Sequence, residues 1–213
     1  MTHTFGSLAF TPVVKELQER YGSRRQYERL AAQGASYQGL GPDEREFIGE
    51  RDSFYMASIG STGWPYVQHR GGPKGFLKVL DNQTIAFGDY RGNKQYVSTG
   101  NLLTDDRVAL ILVDYPRQAR LKVLGHAKIT ARAEAGDLLE VVRDEEDTFV
   151  ERVYVIHVDA FDWNCQQHIT PRFTVDEIHT ILAPFEERLQ TLEAENARLR
   201  TSLASKRSKT ELL

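Results

Sequence analysis

A chain of 213 residues with 40% hydrophobic and 27% charged side chains has the composition of a folded globular protein, with room for one generous domain or a domain with appendages. Its net charge of -3 excludes a general field for nucleic acid, and no apolar run approaches the length of a membrane span. A single cysteine, Cys165, excludes an internal disulfide framework, and the start MTHTFGSLAF lacks an apolar signal core, so a cytoplasmic location is expected.

Residues 1–45 are expected to form a polar helical arm. Within it PVVKELQERYGSRRQYERLAAQG offers Val14, Leu17, Tyr21, Tyr27 and Leu30 at helical spacing. Over residues 46–173 the period switches to two. Strands are predicted in SFYMASI, PYVQHR, FLKVL, TIAFGD, VALILVD, ARLKVLGHAKITA and RVYVIHVDAF, separated by turn signals at Ser61, Gly71, Asp81 and Asp114. VALILV is apolar on both faces and is predicted to be a central strand covered on both sides. Helical pieces are predicted near Asn93–Leu103 and near Ala133–Glu146, with RDEEDTF as a solvated face. Many short strands with few helices predict a mainly β fold, a small antiparallel barrel.

Residues 174–213 form a long helix in this reading. Val175, Ile178, Leu182, Phe185, Leu189, Leu192, Asn196, Leu199 and Leu203 alternate spacings of three and four, which is a heptad seam with Asn196 at an a position. In a parallel pair of such helices Arg188 would face Glu193, and Glu195 would face Arg200. Pro184 is expected to kink or restart the helix. The seam serves either a two-stranded coil or packing on the chain's own barrel.

Three stretches could carry chemistry. In DYRGNKQYVSTGNL, Asp89 to Leu102, Arg91 and Lys94 flank a Gly-Asn turn where a short helix begins, with Tyr96, Val97 and Leu102 available for a core. Two cations there fit either a phosphate or an Asn93-capped surface helix with solvated side chains. In PYVQHRGGPKGF, Gln68, His69 and Arg70 are polar in a half-buried strand, suiting either a heteroaromatic ligand or an exposed edge. In DWNCQQHITPRF, Trp163, Asn164, Gln167, His168 and Arg172 form a polar-aromatic cluster that either caps a flat ligand or holds a domain junction. There is no dinucleotide fingerprint, P-loop or nucleophile elbow, and the histidines show no paired metal-ligand spacing, so no metal is expected. Cys165 beside His168 reads either as a nucleophile or as a buried structural cysteine.

Taken in order, PYVQHRGG, TIAFGDYRGNKQYVSTGNLLTDDRVALILVDYPRQARLKVLGHAKI and WNCQQHITPRF make residues 47–173 resemble the pyridoxamine-phosphate oxidase-like family of FMN-binding split barrels. The combination of HRGGPKGFLKVLD, RGNKQYVSTGNL and WNCQQHITPRF is similar to a subgroup of FMN-dependent proteins of unassigned substrate. The resemblance implies an antiparallel split barrel, FMN as cofactor, a small-molecule substrate and a homodimer with FMN sites at the subunit interface. By position it implies that Gln68, His69 and Arg70 line the flavin. Asp89, Arg91, Asn93, Lys94 and Gln95 would surround the phosphate with Ser98 behind, Gln118 would reach a flavin from the hairpin, and Trp163 and Arg172 would approach the ring edge.

The chain departs from the oxidase pattern in two places. Counting back from Arg107, Ser98 stands where the family's Ser-Arg-Lys run has its lysine, so this loop is longer. The terminal Arg-Leu-His and Arg-Leu-Pro runs are replaced by the C-terminal helix, so pyridoxamine phosphate is not the expected substrate. The expected function is an FMN-dependent oxidoreductase, with a non-catalytic flavin-binding or sensing dimer, or a deazaflavin or haem relative, as the alternatives.

Overall fold

The computed structural model describes residues 4–33, 39–144, 149–163 and 167–210. Asn164, Cys165, residues 145–148 of RDEEDTF, and the side chains of Leu30 and Leu203 lie outside the described residues. The chain divides into two units, Met1–Ile169 and Thr170–Leu213.

The first unit opens with α1 (Phe5–Ala9), α2 (Pro12–Arg20), α3 (Arg24–Gln33) and α4 (Pro42–Gly49). Thr4 and Thr11 cap the first two helices through their hydroxyls, and Pro12 and Pro42 occupy first turns where a missing N–H costs nothing. Leu17 and Tyr21 are nonetheless exposed, because α2 lays only a thin contact on α3 and the periodic apolar face stays outside the core. Helix α4 differs. Phe47 and Ile48 are buried in the barrel, and Leu40 ahead of them donates its N–H to the Asn82 carbonyl at 2.6 Å. Gly39 makes that approach possible: it sits at φ +93, and a Cβ there would lie 2.2 Å from the Asn82 carbonyl oxygen.

Seven strands follow: β1 (Ser53–Ile59), β2 (Pro65–Gly71), β3 (Lys78–Val79), β4 (Thr84–Tyr90), β5 (Arg107–Asp114), β6 (Ala119–Ala131) and β7 (Val150–Trp163). They form one antiparallel sheet in the order β2-β1-β5-β6-β7-β4-β3. The β6–β7 ladder shifts register at Gly125, where a Cβ would meet the His157 carbonyl oxygen at 2.1 Å; this bulge bends the two longest strands. The sheet then curls on itself. Phe54 of β1 and Phe87 of β4 are four places apart in the sheet order, yet their rings touch at 5.2 Å. Phe87 also stacks on Tyr154 of β7 at 4.9 Å. This is the small antiparallel barrel that the strand pattern predicts, in the split form that the resemblance implies, and Met56, Leu112 and Leu121 complete its interior.

The doubly covered strand is β4 and not VALILV. Ile85 and Phe87 point into the barrel, while Ala86 packs outside it with Val153 and with Val142 of α6 (Asp137–Val142). In β5, Val108, Leu110 and Leu112 are buried but Ala109, Ile111 and Val113 remain half-buried, because no element among the described residues fully covers that face. Helix α5 (Val97–Leu102) is shorter than predicted. Lys94 and Tyr96 lie at φ 60 and 55, which non-glycine residues rarely adopt and which halts a helix running backwards from Val97. Of the three apolar side chains expected in its core, Leu102 is buried, whereas Tyr96 and Val97 are exposed.

The second unit is dominated by α7 (Val175–Thr210). Thr174 and Glu177 close a reciprocal capping box at its start, with Glu177 N donating to Thr174 Oγ1 at 3.2 Å and Thr174 N to a Glu177 carboxylate oxygen at 2.8 Å. The helix continues through Pro184 without the expected restart. The proline deprives the Thr180 carbonyl of its helical donor, and on an exposed helix water can take that place.

Candidate functional site

The curl of the sheet brings the edge strand β2 close to the ends of β4 and β7, and an open cleft of about 210 Å³ lies along that seam. The alternation of β2 decides which of its polar residues enter. Gln68 and Arg70 line the cleft, while His69 points to the opposite face against Tyr55, ring centroids 5.4 Å apart. Three consecutive strand residues cannot share one face, so the sequence triplet is split.

Asp89 at the end of β4 organises the floor. One carboxylate oxygen accepts from Arg70 Nη1 at 2.5 Å and the other from Arg152 Nη1 at 2.8 Å, with the three side chains 8–17% exposed. Arg152 also donates to Glu151 at 2.9 Å and lies over the Tyr96 ring at 4.8 Å. Burial works against its charge, but Asp89 and Glu151 outweigh it and raise its pKa above the ordinary arginine value. Beneath them the Tyr154 hydroxyl pairs with Thr99 Oγ1 at 2.8 Å, and burial pushes the phenol upward so that it stays neutral.

The loop between β4 and α5 forms the cleft's outer wall. Asn93 Oδ1 accepts from Gln95 N at 3.2 Å, closing an Asx turn instead of capping the helix. This turn and the left-handed Lys94 and Tyr96 set the loop's path, and Asn93, Lys94 and Gln95 all line the cleft. Ser98, buried at the start of α5, donates to Gln68 Oε1 at 2.7 Å and so ties the loop to β2. Arg91 is outside the lining; it is 62% exposed and pairs with Glu151 at 3.5 Å.

Three cations (Arg70, Lys94, Arg152) and two carboxylates (Asp89, Glu151) line the cleft, a net charge of +1. Arg70 and Arg152 are each neutralised by a carboxylate, whereas Lys94 is in no ion pair among the described residues. Arg70 Nε is buried with no hydrogen-bond partner, a donor left over in a cleft-lining residue. A cleft with an uncommitted ammonium group and polar side chains such as Gln68 and Asn93 suits a ligand carrying both an anion and polar groups.

Two residues singled out in the sequence lie elsewhere in the first unit. Gln118, at φ 54 in the β5–β6 hairpin, donates to the Ile169 carbonyl at 2.5 Å. Trp163 donates to Glu44 at 2.6 Å and packs edge-on against Phe47 at 4.7 Å. Arg172 belongs to the second unit. Sequence reasoning missed Tyr66, Thr99, Glu151 and Arg152 as cleft residues, and Tyr154 beneath them. Arg152 stands directly opposite Asp89 in the β4–β7 ladder, a pairing between strands far apart in the chain that no local pattern announces.

The family model described as pyridoxamine 5'-phosphate oxidase matches residues 40–162, more than half of the chain. The chain belongs to that family. The matched region begins just before α4 and ends in β7, so it contains the whole sheet but for its last residue and every residue of the cleft. No curated protein matches the chain. Among solved structures, HupZ of Group A Streptococcus is 15% identical with a TM-score of 0.48, over 63% of this chain and 100% of that one. An FMN-binding protein from Syntrophomonas wolfei is 10% identical with a TM-score of 0.45, over 69% and 97%. A structure described as F420 reductase is 19% identical with a TM-score of 0.42, over 57% and 98%.

Proposed function

We propose that this protein is an FMN-binding flavoprotein that acts as an FMN-dependent oxidoreductase on a small organic substrate or a reduced nicotinamide. The observation that carries the reading is the cleft's division of labour, in a chain of this family. Arg70 and Arg152 are held rigid by Asp89, while Lys94 keeps an uncommitted charge. Lys94 would hold the phosphate, with the Asn93 turn setting the path of the loop that carries it. Arg70 and Gln68, which line the cleft, would meet acceptors further along the ligand. FMN, when bound, supplies hydride and electron chemistry of its own. The chain's contribution is orientation: the Asp89 clamp fixes two guanidinium groups before any ligand arrives, and the neutral Tyr154 hydroxyl adds no opposing charge beneath them.

The working form in this proposal is a homodimer. At about 210 Å³ the cleft of one chain is below the roughly 300–1,000 Å³ usual for a drug-sized ligand. The outer sheet face, with Tyr55, Ile59, Val67, Ala109 and Ile111, is apolar and only partly covered, with Val67 60% exposed. A second copy on that face would complete the site, and His69 and Gln118, which one chain keeps out of its own cleft, are available to the partner's.

The test is anaerobic mixing of the FMN-loaded protein with NADH or NADPH while following bleaching of the flavin band. Reduction faster than that of free FMN supports an oxidoreductase. A bound flavin that neither nicotinamide nor a small-molecule reductant panel reduces faster than free FMN means a binding protein without turnover.

A further inference from the structure

The flavin reading leaves the second unit without a role, and its one long helix carries a patterned surface. Helix α7 is about 54 Å long for its 36 residues. Every residue from Pro171 to Ser202 is exposed, including Leu182, Phe185, Leu189, Leu192 and Leu199 of the heptad seam. Within the second unit no other element covers α7, so its apolar seam needs a partner to leave water.

We propose that α7 pairs with α7 of a second copy as a parallel, in-register, two-stranded coiled coil. Three features of the helix select this occupant. First, the apolar stripe is narrow. From Leu182 onward the flanking e and g positions are Glu186, Arg188, Glu193, Glu195, Arg200 and Ser202, all polar. A helix docked on a globular surface presents a broader stripe that includes one of those flanks, whereas a strict a/d seam is what a twin helix covers.

Second, the flanking charges complement a copy of themselves in one alignment. With the helices parallel and in register, Arg188 at g meets Glu193 at e of the other chain, and Glu195 meets Arg200; symmetry repeats both pairs. Third, Asn196 occupies an a position between Leu192 and Leu199. In the parallel in-register pair it faces its own copy, and the two amides satisfy each other. In an antiparallel pair an a residue faces a d residue, so each Asn196 amide would lie against Ile178, Phe185, Leu192 or Leu199 with no partner. Pro184, inside the helix, interrupts no seam contact because its ring falls outside the a/d positions.

The pairing does not depend on the cofactor, and the test reads it separately. In the full-length chain, with Cys165 replaced by Ser, single cysteines are introduced as Leu192→Cys, Leu199→Cys and Ala194→Cys, and each variant is oxidised in a glutathione buffer and run on a non-reducing gel. The first two positions are d, one heptad apart, and the third is on the outer surface of the coil. Both d variants are expected to form interchain disulfides at least about tenfold faster than Ala194→Cys, because only facing positions bring Cα atoms within bridging distance. An antiparallel pair sets a against d and brings neither d cysteine to its own copy, and collision alone gives equal rates at all three positions; a d variant that links no faster than Ala194→Cys overturns the proposal. Asn196→Leu, which removes no apolar contact, gives an independent reading: light scattering is expected to show a mass above that of the parent assembly, since the buried amide no longer limits the coil to two strands. An unchanged mass overturns the proposal. FMN content, measured on each variant, reports on the flavin site, which the outer sheet face and not α7 would complete.

Discussion

Lys94→Ala separates the two cations that the sequence places together. Lys94 lines the cleft and is in no ion pair among the described residues, whereas Arg91 is 62% exposed, outside the lining and already paired with Glu151. A charge-assisted contact to a phosphate contributes about 1.5–3 kcal/mol, so Lys94→Ala is expected to weaken FMN binding roughly tenfold to 150-fold. Arg91→Ala removes an exposed side chain acting from the rim, and its cost is expected below about 1 kcal/mol, less than roughly fivefold. Fluorescence titration with FMN and with riboflavin measures both effects, riboflavin lacking the phosphate. The Lys94 variant should lose its preference for FMN while its riboflavin affinity stays close to the parent's. Equal losses for both flavins, or a larger loss from Arg91→Ala than from Lys94→Ala, would refute the assignment of the phosphate to the Lys94 side of the loop.

Asp89→Asn should lower both stability and FMN affinity. Two buried guanidinium groups lose their shared carboxylate, costing roughly 3 kcal/mol in urea denaturation. Fluorescence titration reads two opposed effects on FMN affinity, a gain from the higher net charge of the cleft and a loss from guanidinium groups no longer held in place; affinity at or above the parent's would mean that the clamp does not orient the ligand. Phe87→Ala empties the contact that joins β1, β4 and β7 inside the barrel and should cost about 3–5 kcal/mol by the same measurement; a loss under roughly 1 kcal/mol would mean the curl of the sheet does not rest on this ring cluster. The Glu50 carboxyl is held below its ordinary value of 4.5, chiefly by the hydrogen bond from Arg117. Its stabilisation is therefore complete above 4.5 and lost as pH falls further, so the difference in unfolding free energy between Glu50→Gln and the parent, from urea denaturation, should be below about 1 kcal/mol at neutral pH and shrink as the pH is lowered below 4.5.

The strands were legible because each carries its own period and its own turn signals. SFYMASI alternates Phe54, Met56 and Ser58 inward with Tyr55, Ala57 and Ile59 outward, and the chain folds it that way. What failed was anything that depends on a neighbour. VALILV looked covered on both faces because apolarity does not say which chain supplies the cover, and a single copy covers one face only. TIAFGD gained its second layer from α6, through small apolar residues with no distinctive pattern. The cleft divides along the same line. Gln68, Asn93, Lys94 and Ser98 come from two local stretches and were found there, while Glu151 and Arg152 arrive through the β4–β7 ladder across a long sequence gap. His69 lies outside its own chain's cleft for a simpler reason: a strand sends adjacent residues to opposite faces, and Gln68 and Arg70 occupy the inner one.

Whether the cleft holds FMN is read from the absorption spectrum of the purified protein, with mass spectrometry of whatever denaturation releases. A flavin spectrum is expected, with FMN as the released molecule, taken up stoichiometrically when added to a colourless preparation. A colourless protein whose cleft residues fail to bind added FMN would contradict it, and the cleft around Lys94 and Arg152 would then belong to a different anion.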